Sequence, residues 1–356
     1  MTIDAQNVKA VAMFATRRGQ TGIDKAYSPE VQSQLSETLD FVEPLYSDEL
    51  SSWHSAQDPQ ASARFREVRY IFSTWGMPEL EEAMLEQYFP SLEAVFYAGG
   101  TVQPFARPFL NRGIRVFSAW EANAIPVAEY TLAQIILSGK RFFHAARLYK
   151  EAGPAEGSRV GRECPGNYDL TVGLLGCGAI GALVAEYLKG FRYKVLAFDP
   201  FLSETRAAEL GVTLVSLPEV FSEADIVSNH LANNAETVGM LDASCFDRLK
   251  RDAVFINTGR GAQVVEDDLV RALESEPLRQ ALLDVTWPEP VQDDHPFLKL
   301  DNCVLTPHIA GSLGAEIRRM GEYMFESFST LEGSATDGRT AILPREVTLD
   351  MLEYMA

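Results

Sequence analysis

Apolar residues in the first third of the chain come in short runs rich in Val, Ile, Phe and Tyr, set between polar stretches. Strands are read at Lys9–Thr16, Phe41–Tyr46, Arg69–Trp75, Ala94–Gly99 and Arg115–Trp120. A helix is read at Pro78–Tyr88, where Pro78 suits a first turn and acidic residues crowd the start. Between Ser47 and Ala63 the pattern dissolves into a surface loop. A long helix is read from Ala124 to Tyr149, followed by a connecting loop, Glu151–Asn167, that carries Gly153-Pro154 and Pro165-Gly166. A second series follows, with strands at Leu170–Leu175, Lys194–Phe198, Thr213–Ser216, Asp225–His230, Ala253–Asn257, Ala281–Val285 and Cys303–Thr306. Helices fit at Ala179–Leu188 and Val265–Leu273, and a last one at about Leu313–Leu331.

Strand–helix alternation of this kind means parallel sheets covered by helices. At 356 residues the chain exceeds one ordinary core, so two domains are expected. The tail after Leu331 is expected to pack back on the first domain, so that two chain crossings form a hinge. With 46% hydrophobic residues the composition is globular. A formal net charge of −19 argues against a nucleic-acid partner, because a phosphate backbone would meet repulsion over most of the surface. A small anion is different, since one or two local cations suffice. Cys164, Cys177, Cys245 and Cys303 form no CxxC pair, so reduced thiols and no metal ion are expected. No leader is expected, because Val11–Ala15 runs straight into Arg17-Arg18. The apolar run Leu170–Ala185 is too short and too glycine-broken to span a membrane. A soluble, cytoplasmic protein is the expectation.

The strand Leu170–Leu175 runs into Gly176-Cys177-Gly178-Ala179-Ile180-Gly181, which fits GxGxxG in its full context of strand before and helix after. Gly176 permits the tight turn, Gly178 lets a pyrophosphate approach, and Gly181 lets helix and sheet pack closely. The N–H groups at the start of the helix, from Ala179 and Ile180, suit phosphate. The next strand ends in Asp199, where a carboxylate can accept from ribose hydroxyls and repel a 2′-phosphate. The expected cofactor is therefore NAD.

Three further strand ends carry possible chemistry. Arg260 lies in Asn257-Thr258-Gly259-Arg260-Gly261, and its planar fork suits either a substrate carboxylate or a nearby helix end. Glu289 sits between Pro288 and Pro290, which holds it in one direction or merely stiffens an exposed loop. His308 follows the strand Cys303–Thr306 and has the best position of the five histidines. His54 falls in the polar loop, His144 on a helix and His295 before Pro296, where structural or exposed positions and no catalytic role are expected. His230 closes a strand of the cofactor half, near where a nicotinamide would lie.

Together these segments resemble the D-2-hydroxyacid dehydrogenase family. The matches are Asn123–Glu129, Gly176–Gly181, Asn257–Gly261, Leu283–Pro290 and Leu305–Ser312, in the family's order. The resemblance implies an α/β fold with a Rossmann-type doubly wound cofactor domain at 122–309. A smaller flavodoxin-like α/β substrate domain would be built from both chain ends, 1–121 and 310–356. It implies a homodimer through the cofactor domain. It puts the catalytic arginine, glutamate and histidine on Arg260, Glu289 and His308, and a nicotinamide-contacting aspartate on Asp284. Thr258 and His230 join the cofactor set, and Gly99, Gly100 and Thr101 form a substrate-carboxylate loop with Arg260. In that loop Gln103 stands where the family usually has an acid.

The implied reaction interconverts a 2-keto acid and a D-2-hydroxy acid. His308 would give a proton to the C2 oxygen as hydride arrives, with Glu289 favouring the imidazolium. A formate dehydrogenase would be expected to carry glutamine at Glu289, and a phosphite dehydrogenase a lysine between Ala94 and Arg107, where none occurs. A long phosphoglycerate dehydrogenase would add a regulatory domain after Leu331. The reading from a different class is an NAD(H)-binding regulator of corepressor type on the same fold. Trp75, Trp120, Trp287 and Tyr97 fall at or just past strand ends, and at least one is expected to line a pocket for acids larger than glyoxylate.

Overall fold

Strands that bury both faces need helices on both sides, and Ala94–Tyr97, Ile226–Asn229, Val254–Asn257 and Gln280–Leu283 are buried at every position. The computed structural model describes residues 9–19, 22–49, 63, 65–334 and 341–353. The chain divides into two units, Met1–Asn123 with Leu313–Ala356, and Ala124–Ser312.

The first unit contains β1 (Ala10–Thr16), β2 (Leu39–Phe41), β3 (Leu45–Tyr46), β4 (Val68–Ser73), β5 (Ala94–Tyr97) and β6 (Arg115–Ser118). A C-terminal strand, Glu346–Val347, pairs antiparallel to β6, and all other pairings are parallel. The order β2-β1-β4-β5-β6 is the flavodoxin-like 2-1-3-4-5 once β2 and β3 are counted as one interrupted strand. Pro44 explains the interruption of the strand expected at Phe41–Tyr46, since it offers no N–H to a ladder. One face of this sheet is aromatic. Phe96 is fully buried and stacks between Phe72 and Phe117, both at 5.0 Å, with the edge of Phe328 at 5.7 Å. Phe328 comes from the helix Ile317–Ser334, so the C-terminal segment completes the core of the first unit. That helix approaches because residue 321 is glycine: a Cβ there would lie 1.9 Å from the Ala26 carbonyl oxygen.

The second unit contains β7 (Tyr168–Leu175), β8 (Arg192–Phe198), β9 (Thr213–Leu214), β10 (Ile226–Asn229), β11 (Val254–Asn257), β12 (Gln280–Leu283) and β13 (Cys303–Leu305). The sheet is all parallel in the order β13-β12-β11-β10-β7-β8-β9, a doubly wound Rossmann arrangement that reverses between β7 and β10. Its register pairs Phe198 with Leu175, then Asn229, Asn257, Leu283 and Leu305, so one row of residues crosses the sheet at its carboxyl edge.

Two expectations change. The long helix Ala124–Tyr149 is two helices, Trp120–Gly139 and Phe142–Glu151, separated by Arg141 at φ 47°. The break has a cause: Gly166 N–H donates to the Gly139 carbonyl, and Asn167 Nδ2 donates to that of Ile136, so a distant loop caps the first helix. The loop expected at Glu151–Asn167 contains a helix, Pro154–Arg162, whose Pro154 marks its first turn. Gly157 there lets it pack against Tyr149, where a Cβ would come within 2.5 Å of the Tyr149 Cα. Of the loop expected at Ser47–Ala63, Ser47–Glu49 forms a single 3-10 turn. Residues 50–62, with His54, lie outside the described residues. Among the described residues no helix is long and apolar enough to cross a membrane.

Replacing Phe96 with Ala should cost about 3–5 kcal/mol, because it removes a ring that four aromatic neighbours share. Urea unfolding compared with Phe96→Leu checks this. Equal, small losses for both would show that the stack carries little of the stability.

Candidate active site

The register row delivers the next residue of each strand to one edge. Asp199, Gly176, His230, Thr258, Asp284 and Thr306 follow it directly. Gly176 turns at φ 84° with its Cα hydrogens against the His230 carbonyl, where a Cβ would sit at 2.8 Å. At Gly181 a Cβ would strike the Gly176 oxygen at 2.0 Å, whereas nothing lies within 4 Å of one at Gly178. The glycine loop is thus packed tightly below and open in front, where a pyrophosphate would meet the start of the helix Ala179–Leu188. Asp199 accepts from Cys177 N at 2.7 Å and Phe201 N at 2.9 Å, which fixes the carboxylate while leaving it lone pairs for further donors. Burial, with the Asp199 charge adding, pushes the Cys177 thiol up to about 12, so it is a protonated space-filler. A cavity of about 430 Å³ beside them is lined by Phe198, Asp199, Pro200, Leu214, Val215, Ser216 and Glu219. Apolar walls suit an adenine ring. Two carboxylates and no lining cation suit a ribose diol better than a 2′-phosphate. The residues present therefore fit NAD.

The Arg260 turn is set by buried amides. Asn229 Nδ2 donates to Asn257 Oδ1 at 3.0 Å and to Gln263 Oε1 at 2.7 Å, and Asn257 Oδ1 also accepts from Gly259 N. Gln263 Nε2 donates in turn to the carbonyls of Leu231 and Ala232. Thr258 is buried with its hydroxyl 3.1 Å from that of Thr131. Arg260 donates through Nη1 to the Gly259 carbonyl at 2.8 Å. Burial lowers its pKa from the ordinary value, and the Glu289 charge opposes that effect.

His308 Nδ1 and Glu289 Oε1 lie 2.7 Å apart, both side chains partly exposed. The histidine backbone is left-handed, at φ 53°, a conformation that needs outside support in a residue with a Cβ. Asp284 provides it. Its carbonyl accepts from His308 N, and its buried carboxylate accepts from Thr306 Oγ1, Ile309 N and Ala310 N at 2.6, 2.9 and 2.9 Å. Glu289 is steadied from the other side. Glu266 accepts from Trp287 N at 2.8 Å and meets His295 Nε2 at 3.1 Å, while His295 Nδ1 accepts from Phe297 N. Burial raises the Glu266 carboxyl above its usual range.

In the first unit the loop after β5 has Gly99 packed on the Tyr97 ring, which a Cβ would enter at 2.4 Å. Tyr97 is buried against Phe105, and Trp120 is half-buried with part of its surface packed on the same core. Trp75 and Trp287 are exposed. Gln103 donates to the Leu352 carbonyl at 3.0 Å, so it ties down the C-terminal turn. Among the described residues, no group of three His, Cys, Asp or Glu side chains could hold a metal ion.

Residues 133–310, half of the chain, match the family model of the D-isomer specific 2-hydroxyacid dehydrogenase NAD-binding domain. The chain belongs to the D-isomer specific 2-hydroxyacid dehydrogenase family. It is 36% identical over 201 residues to a D-3-phosphoglycerate dehydrogenase of Archaeoglobus fulgidus, covering 56% of this chain and 38% of that one. It is 33% identical over 235 residues to a glyoxylate reductase of Korarchaeum cryptofilum, covering 65% of this chain and 70% of that one. Its fold is similar to a phosphoglycerate oxidoreductase from Rhizobium etli, with a TM-score of 0.74 at 23% identity, covering 95% of this chain and 99% of that one. The chain spans less than half the length of the phosphoglycerate dehydrogenases it matches, 38% and 44% for two of them.

For this family member, the geometry brings Glu289 and His308 into direct contact and puts Arg260 within electrostatic reach of Glu289. It gives Asp284 a set of donors from its own chain, and it buries the His230 ring, with Nε2 at 2.9 Å from Ser228 Oγ, beneath the glycine loop. Sequence reasoning missed Asn229, Gln263 and Glu266 as supports, and it named no partner for His295. For Asn229 and Gln263 the available signal was polar residues at or near strand exits that would be buried and so need partners.

Burial pulls the His230 pKa down to about 4, and Nδ1 has no partner among the described residues. In the unfolded chain the imidazole titrates at about 6.5. Between those values the unfolded state holds the extra proton, so this group makes stability fall as pH drops through that window. The loss should reach roughly 2–3 kcal/mol near pH ~4.5. Urea unfolding near neutrality and at the acid end should show that part of the acid loss vanish in His230→Gln. An identical acid loss in both proteins would refute the assignment.

Proposed function

We propose that this chain reduces a 2-keto acid to a D-2-hydroxy acid with NADH, or runs the reverse oxidation. The observation that supports this most is the 2.7 Å pairing of His308 with Glu289 on the sheet edge that also carries Arg260. With Nδ1 engaged by Glu289, Nε2 of His308 is the nitrogen that hands a proton to the C2 oxygen or takes it back. Glu289 orients the ring and complements its cationic form. Arg260 binds the substrate carboxylate and reaches the C2 oxygen, where negative charge builds during reduction.

The N–H groups around Gly99, Gly100 and Thr101 serve the same carboxylate. Gly176, Gly178, Ala179, Ile180 and Gly181 would hold the pyrophosphate, Asp199 the adenosine ribose, and His230, Thr258 and Asp284 the nicotinamide end. When bound, NADH supplies the hydride. The first unit is on this reading the substrate-binding domain, and a homodimer is the expected assembly. Of the aromatic residues weighed for a larger acid, Trp75 and Trp287 are exposed and Trp120 is half-buried, so these three keep surface for contact.

NADH oxidation followed with glyoxylate, pyruvate, hydroxypyruvate and phenylpyruvate tests the reading. Turnover of at least one is expected. His308→Ala should lose about 10²–10⁴-fold in kcat/KM, with NADH affinity kept. Tight NADH binding with no turnover of any acid would favour a cofactor-sensing regulator instead. An active His308→Ala would remove the proton donor from the scheme.

Asp199→Ser should weaken NADH and improve NADPH as substrate, because the carboxylate that repels a 2′-phosphate is gone. A wild type that already prefers NADPH would contradict this role.

A further inference from the structure

We propose that Ser118 is a positioning residue for substrate: its hydroxyl holds the carbonyls of Gly99 and Gly100 so that the N–H groups that follow them face a bound carboxylate. The proposal rests on the reading above that this loop binds the carboxylate.

Ser118 is the last residue of β6 and is fully buried. Its Oγ lies 2.8 Å from the Gly99 oxygen and 2.7 Å from the Gly100 oxygen. A hydroxyl has one proton, so it is shared between two acceptors that face it from successive peptides. The Gly99 oxygen accepts a second bond, from Ala119 N at 3.0 Å. In a trans peptide the C=O and the following N–H point in opposite directions. With both carbonyls turned onto Ser118, the N–H groups of Gly100 and Thr101 point away from it. Successive N–H groups turned to one side are an anion site that needs no cation.

The anchor is itself held. Ser118 N donates to the Arg345 carbonyl at 3.1 Å, and Phe117 pairs with Glu346 in the sheet. The Arg345 guanidinium reaches Glu121 at 3.2 Å and Glu326 at 3.0 Å and lies 4.0 Å over the Tyr323 ring. The C-terminal strand thus clamps β6, β6 fixes Ser118, and Ser118 fixes the loop. At the loop's far end, Gln103 is tied to Leu352. A side chain at residue 99 would meet the Tyr97 ring, so the close approach of loop and ring requires glycine there.

The test uses the full chain, NADH and the best acid of the four above, with oxamate as a non-reacting mimic. Ser118→Ala should raise KM for the acid and Ki for oxamate by about 10-fold or more. kcat should stay within about threefold and NADH affinity should be unchanged, while Tm falls by no more than the few degrees that one lost buried hydrogen bond entails. Ser118→Thr, which keeps the hydroxyl, should recover most of the loss. A merely structural serine would lower Tm without raising KM, or would raise KM only together with a loss of NADH affinity and kcat, and either result would overturn the proposal. Thr101→Pro, which deletes one of the N–H groups, separates the two levels. If it raises KM while Ser118→Ala does not, the loop reading stands and the role of Ser118 falls. If neither raises KM, the loop does not bind the carboxylate and both fall.

Discussion

Parallel pairing in the second unit fixes where chemistry can occur. Because β7, β8, β10, β11, β12 and β13 run the same way and in register, all their exits fall on one line. Gly176, Asp199, His230, Thr258, Asp284 and Thr306 need no special device to meet there. Each is one residue beyond the shared row. A slip of one residue in any pair would turn its neighbours to the opposite face of the sheet, and burial on both faces penalises that strongly. The apolar interior of the sheet therefore protects the alignment of its polar edge.

At that edge the backbone stops making sheet hydrogen bonds while still partly buried, so side chains must take over. The amides of Asn229, Asn257 and Gln263 do so around the Arg260 turn, and the carboxylate of Asp284 does so around His308. These groups hold the Arg260 turn and, at His308, a left-handed backbone. Losing one partner would leave another buried and unsatisfied, which typically costs about 1–3 kcal/mol. The shell around the candidate chemistry is therefore stiff because its polar groups depend on one another.

What the sequence made legible follows from the same facts. Strand exits are visible wherever an apolar run meets glycine, proline or a polar cluster, and Gly176–Gly181, Arg260 and His308 all stood at such points. The fold class followed from alternation. What could not be read depends on contacts distant in sequence. The helix broken at Arg141 is capped by Gly166 and Asn167, and nothing local to Ser138–Arg141 announces that. The helix Pro154–Arg162 was hidden by its glycines, of which Gly157 serves close packing against Tyr149. Tyr97 sat at a strand end and was open to a pocket role, but whether a strand-end ring turns inward depends on the helix beside it, here the one near Phe105. Glu266 acts on the loop of Glu289 through Trp287, 21 residues along the chain, and His295 acts through Glu266. Hydrogen bonds of that kind leave no pattern in the chain.

The acidic composition finally bears on how anions would be held. With 50 Asp and Glu against 31 Lys and Arg, the long-range field opposes a carboxylate or a pyrophosphate. That field is screened over about 8 Å at physiological salt, so donors within contact distance decide the outcome. Backbone N–H groups suit such a surface because they carry no net charge, do not titrate, and add nothing to the field around the protein. Their weakness is that a peptide group binds an anion only when it is turned toward it, and nothing in the peptide itself ensures that. The requirement shifts from charge to shape. Glycine then becomes the residue of the loops, and neutral groups that grip backbone carbonyls, such as the hydroxyl of Ser118 and the amide of Gln263, replace the lysines that a more basic protein would place there.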